Sequence, residues 1–166
     1  GAQGRILHVS RDSRSVAVYS WKPLTESWTK DCAMASPSGA RIETATVLRD
    51  GTLFTLDDDG GAQTWAQGED GTYTLAAQLA EGGRRGRRGA AAAVAVGDDT
   101  IAAVCKAHSQ NVQLFARGAD GTWAEGDSLQ GHTDSVEALL ATADGTTFYS
   151  AACDGSVLQW QRDAVR

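Results

Sequence analysis

The chain is 166 residues long, 42% apolar and 22% charged, with 19 glycines and two prolines. That allows one domain with a core of its own and excludes a proline-rich linker or a collagen-like rod. A net charge of −6 argues against a surface built as a whole for nucleic acid or anionic membrane. The longest apolar run, 90–96, has seven residues against the ~20 of a membrane-spanning helix, so no membrane insertion is expected. No basic-then-apolar leader opens the sequence and its first residue is Gly1, which together suggest a trimmed or fragmentary chain without a secretory signal. Cys32, Cys105 and Cys153 are odd in number and far apart. They fit neither a disulfide framework nor a CxxC metal knuckle, and an intracellular compartment, cytoplasmic or nuclear, is expected.

In chain order, short segments rich in β-branched and aromatic residues predict strands near 5–10, 15–21 and 27–33. A second group falls near 41–48, 52–57, 62–66 and 72–79, and a third near 90–96, 100–106, 111–117 and 122–129. The last group covers 135–141, 146–152 and 156–161, for fourteen strands in all. Asp-Gly pairs at 50–51, 59–60, 70–71, 120–121, 144–145 and 154–155 mark hairpins, because these residues reach the positive-φ conformations of tight turns. No segment keeps a 3.6-residue apolar period past two turns, so helix is a poor alternative. The alanine-rich run 90–96 favours helix by propensity alone. Its position relative to its neighbours makes it an inner strand of small residues.

The aromatic residues disclose a repeat. Trp21, Trp65, Phe115 and Trp160 each end a short apolar segment, at separations of 44, 50 and 45 positions. A second aromatic follows seven or eight residues later in three units, as Trp28, Tyr73 and Trp123. Two coincident series at one period indicate repeat units near 5–35, 41–80, 90–130 and 131–161, in a single segment that spans 1–166. Four strands per unit, joined by hairpins, is the make-up of a β-propeller blade. The first unit lacks its innermost strand and the last its outer one.

The last unit carries a specific signature: Gly131-His132, then Asp134-Ser135-Val136, Ser150, and Asp154 through Trp160. This resembles a WD40 repeat, with Gln161 where that family usually has Asp. The other three units match by phase and turn chemistry, without a Gly-His pair. The resemblance implies an all-β, WD40-like β-propeller of about three and a half four-stranded antiparallel blades, a partial ring or fragment. It also implies that His132, Ser150, Asp154 and Trp160 form a structural hydrogen-bond network from indole through hydroxyl and imidazole to carboxylate. A nucleophilic triad would need an exposed serine and oxyanion donors, and no Gly-x-Ser-x-Gly elbow is present.

Arg84, Arg85, Arg87 and Arg88 lie in a glycine-rich connection at 82–89, where guanidinium forks suit an acidic protein segment or RNA phosphates. A solvated loop explains them equally well. With His108 and Asp134 they are the candidate partner-binding residues, on a face formed by loops 36–41, 57–60, 82–89, 108–111, 131–134 and 153–154. The run Asp57-Asp58-Asp59-Gly60 lacks the alternate spacing of a calcium loop and is accounted for as a hairpin. No cofactor or metal site is expected. The functional expectation is a non-catalytic protein–protein interaction scaffold, a WD-repeat subunit of a larger complex. An RNA-associated protein using the arginine loop is the alternative. An enzyme or a lectin on a propeller would require acids or histidines converging at a channel mouth.

Overall fold

The computed structural model describes residues 5–10, 15–80, 92–104 and 109–161. Among these residues, fourteen strands form four antiparallel sheets. Sheet 1 holds β1 (Arg5–Ser10), β2 (Ser15–Lys22) and β3 (Ser27–Ala35). Sheet 2 holds β4 (Ile42–Val47), β5 (Leu53–Asp57), β6 (Ala62–Gln67) and β7 (Tyr73–Ala80). Sheet 3 holds β8 (Ala92–Val96), β9 (Thr100–Val104), β10 (Val112–Arg117) and β11 (Trp123–Leu129). Sheet 4 holds β12 (Val136–Ala141), β13 (Thr147–Ala152) and β14 (Val157–Gln161). Within every sheet the strands neighbour one another in chain order, as hairpin connections require. Among the described residues, no helix is long and apolar enough to cross a membrane.

The turns repeat one piece of chemistry. All six Asp-Gly glycines have positive φ, from 69° at Gly145 to 90° at Gly51. Their aspartates do not, which corrects the expectation that both residues of the pair leave the usual region. Each glycine N–H instead closes a turn onto the carbonyl three residues back, as Gly71 does on Gly68 at 3.0 Å and Gly121 on Gly118 at 2.9 Å. The aspartate works through its side chain. Asp50, Asp70, Asp120, Asp144 and Asp154 each accept the N–H two residues on, at 2.8 to 3.1 Å. Asx-capped turns of this kind need a short carboxylate followed by glycine.

The alanine-rich β8 is a strand, paired with β9 in register from Ala92↔Val104 to Val96↔Thr100. It lies between β4 and β12, the first strands of the sheets on either side, and β4 in turn lies beside β1. Small side chains suit that position, since three backbones approach one another there. Trp21 stands on the second strand of its sheet, whereas Trp65, Phe115 and Trp160 stand on the third. Among the described residues, sheet 1 therefore has no strand ahead of β1, and sheet 4 ends at β14.

The core lies between sheets, in three apolar layers. Val16, Val18 and Met34 meet Ile42, Leu53, Trp65 and Tyr73 between sheets 1 and 2. Leu48, Phe54, Leu56 and Ala62 meet Ile101, Ala103 and Phe115 between sheets 2 and 3, with the Phe54 and Phe115 rings 5.6 Å apart. Val96 and Val112 meet Val136 and Phe148 between sheets 3 and 4. Each inner sheet is covered on both faces. That is why β5 reads Leu-Phe-Thr-Leu-Asp and is buried throughout rather than alternating apolar and polar.

Candidate functional site

Two polar chains cross the sheets at corresponding positions, and both start at an indole. In sheet 4, Trp160 Nε1–H donates to Ser150 Oγ at 2.8 Å. Ser150 Oγ lies 2.7 Å from His132 Nε2, which leaves the hydroxyl proton to pass to the imidazole. His132 Nδ1 faces Ser156 Oγ at 2.9 Å and Asp154 Oδ2 at 3.2 Å. The Asp154 carboxyl is held far below the usual carboxylate range, by the Ser156 hydroxyl first and then by the Thr133 and Ser156 N–H groups. Ser150 is fully buried, unlike the exposed serine that a nucleophilic triad presents to its substrate.

In sheet 2, Trp65 Nε1–H donates to Thr55 Oγ1 at 2.9 Å, and Thr55 donates to Gln63 Oε1 at 2.9 Å. Gln63 Nε2 then reaches Asp57 Oδ2 at 3.1 Å. Asp57 is buried, yet its carboxylate is well supplied with donors. Oδ1 accepts the Gly61 N–H at 2.6 Å and the Asp59 N–H at 3.2 Å, while Oδ2 also accepts the Ser36 hydroxyl at 2.9 Å. Thr55, Gln63 and Ser36 were not singled out from the sequence. The signal was present, because Thr55 precedes Trp65 by ten positions as Ser150 precedes Trp160.

Beside this chain, at the start of β4, lies a half-buried cluster of opposite charges. Arg41 Nη2 donates to Glu43 Oε1 at 2.6 Å, and Arg41 Nε lies 3.7 Å from Asp58 Oδ2. Two hydrogen bonds to Asp58 fix the guanidinium's origin: Arg41 N–H donates to the Asp58 side chain at Oδ1, 2.9 Å away, and Asp58 N–H donates to the Arg41 carbonyl at 2.8 Å. Buried Arg41 Nε has no hydrogen-bond partner. Glu43 is the extra residue of a β-bulge, since pairing steps from Ile42↔Asp57 to Thr44↔Leu56. Glu137 occupies the matching bulge of sheet 4, between Val136↔Ala152 and Ala138↔Ala151. Bulges re-aim a side chain out of the pleat, so both first strands turn a glutamate aside at the same end.

The remaining candidates divide plainly. Arg84, Arg85, Arg87, Arg88 and His108 lie outside the described residues. Asp134 is exposed and accepts the Ser135 N–H at 2.7 Å, a local turn contact. Cys153 is exposed, 3.6 Å from Glu137 Oε1; partial desolvation, then that carboxylate, push its thiol up, opposite to what an activated thiolate needs. Among the described residues, no group of three or more His, Cys, Asp or Glu side chains is placed to hold a metal ion.

No family model matches the chain, and no curated protein matches it. A solved structure, a candidate 6-phosphogluconolactonase from Bacteroides uniformis, is similar over 96% of this chain with a TM-score of 0.69 and 15% identity. This chain spans about half the length of that structure, 50%. The likeness shows a shared fold. It also corrects the expectation of a non-catalytic WD-repeat scaffold and of a protein that is not an enzyme, since the architecture taken for a scaffold is that of a candidate lactonase. The physical reason is that hairpin-linked sheets leave a mark on the sequence, whereas chemistry resides in a few side chains grafted onto them.

Proposed function

We propose that the chain forms about three and a half blades of a β-propeller in a lactonase-like hydrolase. In this reading Arg41, Glu43 and Asp58 serve the ring-opening hydrolysis of a phosphorylated sugar lactone. The observation that carries it is the Arg41–Glu43–Asp58 cluster at the end of a first strand, in a fold shared with a candidate 6-phosphogluconolactonase. Side-by-side first strands and apolar layers between successive sheets support the propeller arrangement.

Lactone hydrolysis asks little of a protein. Water adds to the ester carbonyl, the ring C–O bond breaks, and the products are one carboxylate and one alcohol. Glu43 takes the proton from the attacking water and returns it to the departing ring oxygen. Arg41 orients Glu43 through its 2.6 Å contact and offers its remaining N–H donors to the anionic substrate. Asp58 holds the guanidinium in place from the hairpin side. Neither a metal nor a covalent intermediate enters this scheme.

The test is hydrolysis of 6-phosphogluconolactone by the full-length protein, followed as acid release above the spontaneous rate. Glu43→Gln is expected to lower the catalysed rate by about 100-fold or more, and Arg41→Met to raise KM more than it lowers kcat. A full-length protein no faster than buffer, or a Glu43→Gln variant at the parent rate, overturns the reading.

A further inference from the structure

Arg41 and Asp58 meet at the rim but project from different segments. Arg41 ends the connection 36–41 from β3 to β4, and Asp58 lies in the turn 57–61 that joins β5 to β6. One buried carboxylate organises both segments. In the turn, Asp57 Oδ1 accepts the Asp59 N–H at 3.2 Å and the Gly61 N–H at 2.6 Å. In the connection, Asp57 Oδ2 accepts the Ser36 hydroxyl at 2.9 Å. Ser38 Oγ lies 2.9 Å from Ser36 Oγ and 3.4 Å from Asp57 Oδ2. It accepts the N–H of Ala40, the residue before Arg41, at 3.2 Å. The fit leaves no spare room, since a Cβ at Gly61 would lie 2.5 Å from Asp57 Oδ2 and 2.9 Å from Oδ1.

Sheet 4 shows that the turn itself does not need this carboxylate. There Ala152 N–H donates to the Ser156 carbonyl as Asp57 N–H donates to that of Gly61, and Cys153 N–H donates to the Ser135 carbonyl as Asp58 N–H does to that of Arg41. The bulged glutamate recurs as Glu137, but Ala152 stands in place of Asp57, Cys153 of Asp58 and Ser135 of Arg41. The inward carboxylate thus occurs in the sheet that carries the cation and its counter-charge, and alanine in the sheet that carries neither. We infer that Asp57 is a positioning residue of the rim site, acting through Arg41. By tying together the connection and the turn, it holds the guanidinium and Asp58 in one register, so that the remaining N–H donors of Arg41 point at a fixed place. The inference rests on the reading of Arg41 as the group that receives the anionic substrate.

The full-length protein and 6-phosphogluconolactone provide the first readout. Asp57→Asn removes a negative charge, which by itself favours an anionic substrate and lowers KM; lost positioning raises it. The variant is expected to raise KM about tenfold, more than it lowers kcat. In an Arg41→Met background the same change should raise KM by less than about twofold, because its effect passes through Arg41. Gly61→Ala pushes the carboxylate aside with its charge intact and should give the same split. Ser36→Ala, which removes a single hydroxyl, should shift KM in the same direction by a smaller factor. A parent-like KM in both Asp57→Asn and Gly61→Ala, or an undiminished rise in the Arg41→Met background, overturns the inference.

The second readout does not depend on activity. Arg41 Nε is buried, so its N–H exchange with solvent, followed by nuclear magnetic resonance, reports how firmly the guanidinium is held. Exchange is expected to quicken at least about tenfold in Asp57→Asn and in Gly61→Ala, and an unchanged rate overturns the inference. A full-length protein that leaves the lactone untouched overturns the lactonase reading instead, and the positioning of Arg41 is then decided by this exchange rate.

Discussion

Sheets 2 and 4 solve one problem with different parts. Each buries the flat face of a tryptophan and must satisfy its indole N–H, and each does so with a hydroxyl ten residues earlier, Thr55 or Ser150. Beyond the hydroxyl they diverge. Sheet 4 continues through an imidazole to Asp154, whose carboxylate lies at a turn and takes its strongest hydrogen bonds from Ser156 and Thr133. Sheet 2 continues through an amide to Asp57, a carboxylate placed inside and surrounded by donors from two loops and a strand. The difference teaches that the indole–hydroxyl pair is the recurring unit. The group that closes the chain is set by whatever side chain the neighbouring loop brings to that end.

The comparison breaks most sharply at Asp57. Asp57→Ala leaves the Gly61 N–H, the Gln63 amide and the Ser36 hydroxyl without their shared acceptor. A loss of about 3 kcal/mol or more is expected in urea unfolding. A loss under about 1 kcal/mol would mean that water replaces the carboxylate and that the two sheets are less different than their geometry implies.

Thr55→Val and Ser150→Ala test the shared unit. Each leaves an indole N–H and one further polar group unpaired in the interior, so each is expected to cost about 2 kcal/mol. His132→Ala should lower the Tm of the chain by a similar margin, and a melting curve that does not move would show that sheet 4 does not depend on its imidazole.

pH separates the closing groups. The Asp154 carboxyl is held low in the fold, by the Ser156 hydroxyl first and by the Thr133 N–H next. A carboxyl held low adds stability above its unfolded value of about 4 and loses it as the pH falls toward the folded value. Asp154→Asn is therefore expected to be less stable than the parent near pH 7, with a gap that narrows at about pH 2.5. A gap of constant size between those two conditions would assign the effect to packing.

The smallest effect is the most discriminating. Thr64 is buried beside the sheet 2 chain, and its hydroxyl has no hydrogen-bond partner. Thr64→Val removes nothing that is paired, so stability should hold within about 0.5 kcal/mol or rise. The same substitution at Thr55 is expected to be costly, which makes the pair a direct measure of what the indole–hydroxyl unit is worth.

Much of this architecture is legible in the chain because its signals are local. Short β-branched and aromatic runs between Asp-Gly turns place the fourteen described strands within a few residues of where they lie, and 27–33, for instance, extends only to Ala35. The inner strand at 92–96 was readable only through the repeat, because alanine taken alone favours helix. His132 and Trp160 were found through a resemblance confined to the last unit. The sheet 2 chain is not legible in the sequence because Gln63 and Ser36 are common residue types without a motif, and only folding brings them to Asp57 from six and 21 positions away.

By itself, then, the sequence determined where this chain extends and where it turns. Those choices depend on neighbours one or two residues apart, on Cβ alternation along a strand and on a glycine that tolerates positive φ. Only the tertiary structure decided which way the carboxylates face. Asp57 turns inward while Asp58 meets Arg41 at the rim, though both belong to one acidic run that reads as a single turn. Burying a charge is favourable only where enough donors converge on it, and the donors for Asp57 come from two separate loops and from β6.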